Sequence, residues 1–500
     1  MKILMKSSWP LPLIAWLCLV ASPLVAQENA PYKSKPKGHE QNLQRAASAY
    51  AGNLKKYAND TNLLVLPGLV ADKKQKRVAV MVESTRLGPN SACEFTIIGE
   101  TSDHAYEALL LSLAKPSEVH RALQFIGATP GEPFDPESLR FWAKGESFVL
   151  SLDRTNEPPL RLEKLLLDRR TGKTLPEEGF LFIGSRMVPA LNDPGKKVYA
   201  ADEYQPKSIV SLFNSTFSVF EVPYSAPQSV VYQNTIVNPE YEFPEGALLT
   251  LVIEPANKDD SKRAKDLVLL VETGKTPTDK PGTAMELLTS LSLQLKDAET
   301  VLNGKPTLIS VVKTLALLDG KQHDYYLTVS FGDKVELSQA QALAKILSTL
   351  DSEQGIRINP PPAGQLYYRA FTPDLELLDR EARFFHPWEL SLAEKDGRVS
   401  GKLLLIDSVW KPGASASELE ITELSVSGPQ DLRRELEAEA ERTRKADKRA
   451  RPPVIMVFAP STLNYGQLTK FLEPALPTHK IIHVYLDLPL PPIPKPKRKT

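Results

Sequence analysis

Cysteine is nearly missing from this chain of 500 residues: Cys18 and Cys93 are the two it has. Cys18 lies in an amino-terminal segment expected to be removed, so the mature chain keeps Cys93 alone and can form no internal disulfide. The same shortage excludes an iron-sulfur cluster held by several cysteines and a cysteine-rich zinc site. Net charge is missing too, with 61 basic and 61 acidic side chains before that segment leaves with Lys2 and Lys6. Such a balance gives no global field for nucleic acid. No second apolar run approaches the roughly 20 residues that a bilayer core requires. Even 301–318 carries Asn303, Lys305, Pro306 and Thr307. The chain also lacks a G-x-S-x-G elbow, a G-x-x-x-x-G-K-[ST] loop, a G-x-G-x-x-G turn and an H-E-x-x-H helix. These absences exclude only chemistry that needs those local geometries, because a triad or a two-carboxylate site can be assembled from distant segments.

What is present begins with a secretory signal over residues 1–26. Lys2 and Lys6 precede the apolar run from Leu11 to Val20, and prolines 10, 12 and 23 make it too short and broken for a span. Cleavage is expected after Ala26. Cys18 follows the bulky Leu17, which argues against lipid attachment. The full chain, 24% charged and 42% hydrophobic, has the composition of a globular protein, and its length calls for two to four domains. Its 42 prolines punctuate it.

Residues 27–75 read as a polar leader with a short helix over 41–57. Alternation from Arg77 to Glu83 and again from Cys93 to Ile98, around Gly88-Pro89-Asn90, predicts a hairpin. Val119, Ala122, Leu123 and Ile126 then share one helix face, with Ser117 as the expected cap and Gly127 as the stop.

The stretch from Cys93 to Gly131, together with SIVSLFNSTFSVFEVPYS at 208–225 and EFPEGALLTLVIEP at 242–255, resembles the YdjY-like domain of exported bacterial proteins. The resemblance spans about 76–272, with Glu107, Leu109-Leu110, the Pro116 to His120 turn and Pro130-Gly131 as its elements. It implies an exported domain of mixed strands and helices and no particular reaction.

The C-terminal half reads as a second α+β domain over 282–428, a charged helix or linker over 429–453, a strand-helix-strand unit over 454–488 and a proline-rich basic tail over 489–500. A helix is expected near 285–295, another from Ser338, and a turn at Asp396-Gly397. The 454–488 unit resembles the periplasmic domains of ExbD and TolR proteins in element order. The fold class is thus α+β and multidomain, with strand-rich sheets and short packed helices.

Four candidates for chemistry or binding can be weighed. His104, Glu107 and His120 could give zinc three ligands with a fourth position open, although structural histidines are the simpler account. Tyr368, Arg369, Arg380, Arg383 and Trp388 could bind anionic or sugar groups, unless the arginines pair with Asp374, Asp379 and Glu381 inside a core. Cys93 sits in an apolar strand beside Glu94, where burial and charge both oppose a thiolate. His479 and His483 lie about 13 Å apart if extended, too far for one ion. The sequence therefore points to an exported envelope protein that binds or scaffolds envelope proteins or polymers, without a cofactor. The alternative is an exported hydrolase or metal-dependent enzyme with a dispersed His and Glu/Asp site.

Overall fold

The computed structural model describes residues 35–154, 157–190, 192–193, 195–256, 265–274, 287–288, 290–296, 325–353, 357–380, 387–409, 418–446 and 454–492. Residues 1–34, Arg383, the stretch 301–318 and the last eight residues lie outside them. The described residues form an α+β structure with several sheets. None of their helices is long and apolar enough to cross a membrane.

The N-terminal half is built on a closed ring of strands. After helix α1 (His39–Lys56) come the hairpin β1 (Leu63–Leu66) and β2 (Leu69–Asp72), then β3 (Arg77–Ser84), β4 (Phe95–Gly99), β5 (Ala108–Ser112) and β6 (Glu146–Leu152). β7 (Phe180–Phe182), β8 (Ser208–Ser211), β9 (Phe220–Glu221) and β10 (Leu248–Pro255) complete it. The ring runs β3-β10-β6-β7-β9-β8-β4-β5 and back to β3, a barrel-like sheet of eight strands. Closure removes free edges. Alternation in β3 makes Val78, Val80 and Val82 fully buried, and they join Phe148, Phe182 and Phe220 in one core. Each such side chain contributes about 1.5–3 kcal/mol by leaving water.

Helices α2 (Pro116–Phe125), α3 (Ala200–Glu203) and α4 (Gln228–Asn234) pack around the ring. The expected apolar face of α2 is buried. Its start moves: Pro116 takes the first turn, and Ser117 bonds Asp202 instead of capping. Nor is 77–98 a hairpin. β3 pairs with β2, β10 and β5, while β4 runs parallel to β5, because ring closure places β5 between them. The expected leader is also part of this body, since β1-β2 extends the sheet from β3.

The C-terminal half holds two sheets around one core. The first comprises β11 (Lys265–Thr273), β12 (Leu291–Lys296), β13 (Tyr325–Phe331) and β14 (Arg357–Ile358), with α5 (Leu337–Glu353) between the last two. Strand β12 stands where a helix was expected near 285–295; Leu291 and Leu293 alternate with exposed Ser292 and Gln294 against β11. β11 begins before the expected boundary at 272, so the barrel body ends near Pro255.

The second sheet comprises β15 (Trp388–Lys395), β16 (Arg398–Val409), β17 (Glu418–Val426), β18 (Ile455–Ala459) and β19 (Ile482–Leu486). Asp396 and Gly397, both at positive φ, make the two-residue turn that the sequence signals. α6 (Pro429–Ala446) and α7 (Tyr465–Leu472) pack beside it. Residues 454–488 are not a separate unit, because β18 pairs with β15 in parallel. The charged run is also more than a linker: α6 buries Leu432 and Leu436 in the common core. The tail starts docked, with Leu490 against Met456, Phe458 and Tyr485 and the Pro492 carbonyl accepting from Arg380.

Candidate functional site

His104 and Glu107 meet, but His120 does not join them. A short turn over Ala105–Glu107 brings His104 Nε2 to 3.8 Å from Glu107 Oε1, with Nδ1 2.5 Å from Asp103 Oδ1. His120, on α2, instead places Nδ1 2.9 Å from the Gly184 carbonyl and 3.0 Å from the Tyr199 hydroxyl. Its ring meets Phe182 edge-on, and burial lowers its pKa, which favours a neutral imidazole in a structural role. Gly184 makes this approach possible. It has φ +77, and a Cβ there would lie 2.4 Å from Pro130 and 3.1 Å from the His120 ring. Among the described residues no group of three His, Cys, Asp or Glu side chains could hold a metal ion.

The residue that joins Glu107 is Glu94. Just before the parallel strands β4 and β5, the Glu94 amide donates to the Glu107 carbonyl at 3.0 Å. The Glu94 carboxylate is buried and accepts from Gln228 Nε2 on α4 at 2.8 Å. Burial, then the charges of Glu94 and Asp103, push the Glu107 carboxyl up to about 7. Burial and the same three acids also raise the Tyr106 phenol. Exposed aromatic rings lie near these carboxyls. Tyr106, 46% exposed, stacks on His104 with ring centres 5.7 Å apart, and Val230 and Tyr232 of α4 are 40% and 58% exposed. Tyrosine faces beside carboxylates suit a cationic group. Sequence reasoning missed Glu94, Gln228 and Tyr232, which only strand pairing and the seating of α4 bring near Glu107; the signal available was Glu94 beside Cys93 in a strand.

The arginine and aromatic cluster turns inward. Tyr368 is buried, and its hydroxyl donates to Asp351 at 2.8 Å; Arg369 reaches the same oxygen at 2.5 Å while its guanidinium lies 4.5 Å above Phe141. Arg380 forms a buried two-point pair with Glu389, Nε to Oε1 being 3.0 Å. Trp388 is buried with its ring centre 5.3 Å from that of His479. Tyr368, Arg380 and Trp388 are therefore interior and Arg369 half-buried, with Asp351 and Glu389 as the acids the two arginines meet, while Glu381, like Arg383, lies outside the described residues. Asp374 caps the following turn through the Glu376 amide.

Cys93 is fully buried, its Sγ 3.2 Å from the Phe95 carbonyl, and burial drives its thiol far above the ordinary range. Burial lowers both His479, to about 4, and His483. A cleft of about 450 Å³ lies elsewhere, beside α7, lined among others by Asp333, Lys334, Gly364, Gln467, Lys470 and Glu473. No family model, no curated protein and no solved structure matches this chain.

Proposed function

We propose that this chain is an exported cell-envelope protein that binds or scaffolds, and that the face around Tyr106 and Tyr232 meets its partner. One observation carries the reading: two tyrosines are exposed, and the Tyr106 phenol feels the charges of Glu107 and Glu94. An envelope protein or polymer offering an ammonium or guanidinium group would complete that face. The export signal over 1–26 and the YdjY-like resemblance over 76–272 belong to the same proposal.

The partner's charge fixes a pH dependence. A cation favours the ionised carboxyl, so affinity should rise as pH climbs through about 7, with proton release on binding. The test is crosslinking in an exporting bacterium with a photoreactive residue in place of Tyr232. A discrete adduct is expected, weakened about tenfold when Glu107→Gln removes a charge-assisted contact. No adduct, or one indifferent to Glu107→Gln, overturns the reading. The expected N-terminus of the recovered protein is Gln27.

A second reading has one observation in its favour: a carboxyl ionising near neutrality can act as a general acid. Hydrolysis of an envelope polymer that is abolished by Glu107→Gln would favour the enzyme.

A further inference from the structure

The two C-terminal sheets share one strand order. The first runs β12-β11-β13-β14; the second, with β17 as an added edge, runs β16-β15-β18-β19. In each the first pair is antiparallel and the next two pairs are parallel. A helix carries the chain from third strand to fourth in both, α5 in one and α7 in the other. The turns that lead into these helices are 332–336 and 460–464, of equal length.

Matching Leu337 with Tyr465 sets an offset of 128 residues (465 minus 337), and the details then repeat at that offset. Leu337 and Tyr465 open the helices; Ala340 matches Leu468 and Ala344 matches Leu472, and all six are buried in one core. The Glu336 amide donates to Gln339 Oε1 at 3.0 Å, and the Asn464 amide to Gln467 Oε1 at 2.9 Å.

The two turns also bond each other reciprocally. The Leu337 amide donates to the Leu463 carbonyl at 2.9 Å, and the matched Tyr465 amide donates to the Val335 carbonyl at 2.7 Å. Ser338 donates to Ser461 at 3.3 Å, and the matched Gly466 donates to Asp333 at 2.9 Å. Glu336 and Asn464 face each other as an antiparallel bridge. Contacts in which i meets j and j meets i are the mark of a two-fold axis.

We infer that the described residues of 265–359 and those of 388–487 are two copies of one fold unit, and that their strand-to-helix turns form a self-pairing surface whose partner is the other copy in the same chain. The C-terminal half is thus a fused pair. Its symmetry breaks at Gly466, where a Cβ would lie 2.6 Å from that of Asp333, although the matched Ser338 carries one. The open cleft lies on this side, with Asp333 and Lys334 from one copy and Gln467 and Lys470 from the other. None of this depends on the tyrosine face.

The test places cysteines at the bridge in the full chain, Glu336→Cys with Asn464→Cys. A bridge flanked by the two amide bonds is a non-hydrogen-bonded pair with Cα atoms about 4.5 Å apart, within reach of a disulfide. Buried Cys93 stays out of the reaction. Mild oxidation should link 336 to 464 within a monomer, as read by peptide mapping and size exclusion, and each single variant should give no such link. A link between chains, or none in folded protein, overturns the inference. Hydrogen exchange of the unaltered protein gives an independent reading. Peptides covering 335–338 and 463–466 should gain deuterium together as denaturant rises, and separate opening overturns the pairing.

Discussion

A carboxyl that keeps its proton to about pH 7 lowers the stability of the fold in more basic solution. Unfolded, Glu107 ionises near 4.5; folded, it ionises near 7. Below 4.5 both states hold the proton. Between the two values the folded chain binds a proton that the unfolded chain has released, so stability declines with rising pH, and above 7 the penalty is complete. Glu107→Gln should therefore stabilise at pH 8 by on the order of 1 kcal/mol, after screening of a half-buried group, and change little at pH 4. Denaturant titration at both pH values checks this, and an equal gain at both would discredit the account. The neighbours of Glu107 were only partly legible. His104 and Asp103 follow from local spacing, whereas Glu94, 13 residues earlier (107 minus 94), arrives through strand pairing. The arginines illustrate the same limit. Arg369 and Arg380 do pair with acids, but with the buried Asp351 and Glu389, which the fold brings to them.

Helix α1 is anchored on Glu83 of the barrel, with Glu100 as a second acid 3.6 Å from His39 Nε2. His39 Nδ1 pairs with Glu83 Oε1, and Asn42 donates to Glu83 Oε2 at 2.8 Å and to the Gly246 carbonyl at 2.9 Å. Glu83 is fully buried, so its partners cannot be replaced by water. Replacing both, His39→Ala with Asn42→Ala, should cost about 3–5 kcal/mol and free α1 for proteolysis near Lys55 and Lys56. Glu83→Leu added to that pair should recover much of the stability, since an apolar group in the same space needs no partner. Retained resistance to protease in the double variant would refute the latch. The sequence reveals α1 as a helix but not its anchoring, because Glu83 reads there as one more residue of an alternating strand.

Across the whole molecule, the segment 139–144 of the barrel body reaches the C-terminal core. Leu139 and Phe141 pack against it, Trp142 Nε1 donates to Asp351 at 3.0 Å, and Tyr326 donates to the Ala143 carbonyl at 2.9 Å. Arg357 returns the contact through the Pro223 carbonyl. Asp351 also accepts from Tyr368 and the Ile358 amide, so Asp351→Ala leaves several buried donors unpaired. Calorimetry should then resolve two transitions where the unaltered protein shows one. A single transition in both would mean that the joint couples through packing alone.

The sequence by itself determined the α+β class, the buried faces of β3 and α2 and the Asp396-Gly397 turn, because each depends on side chains within a few residues of one another. It also determined that Cys18 and Cys93 are the two cysteines of the chain. Only the tertiary structure decided that β3 and β4 are not a hairpin, that 454–488 completes a sheet begun at Trp388, and that Glu94 rather than His120 stands beside Glu107. Those outcomes rest on pairings between distant strands. A periodicity of two marks which face of a strand is buried but leaves its neighbour in the sheet unspecified, and ring closure and the joining of two similar units supply the neighbour.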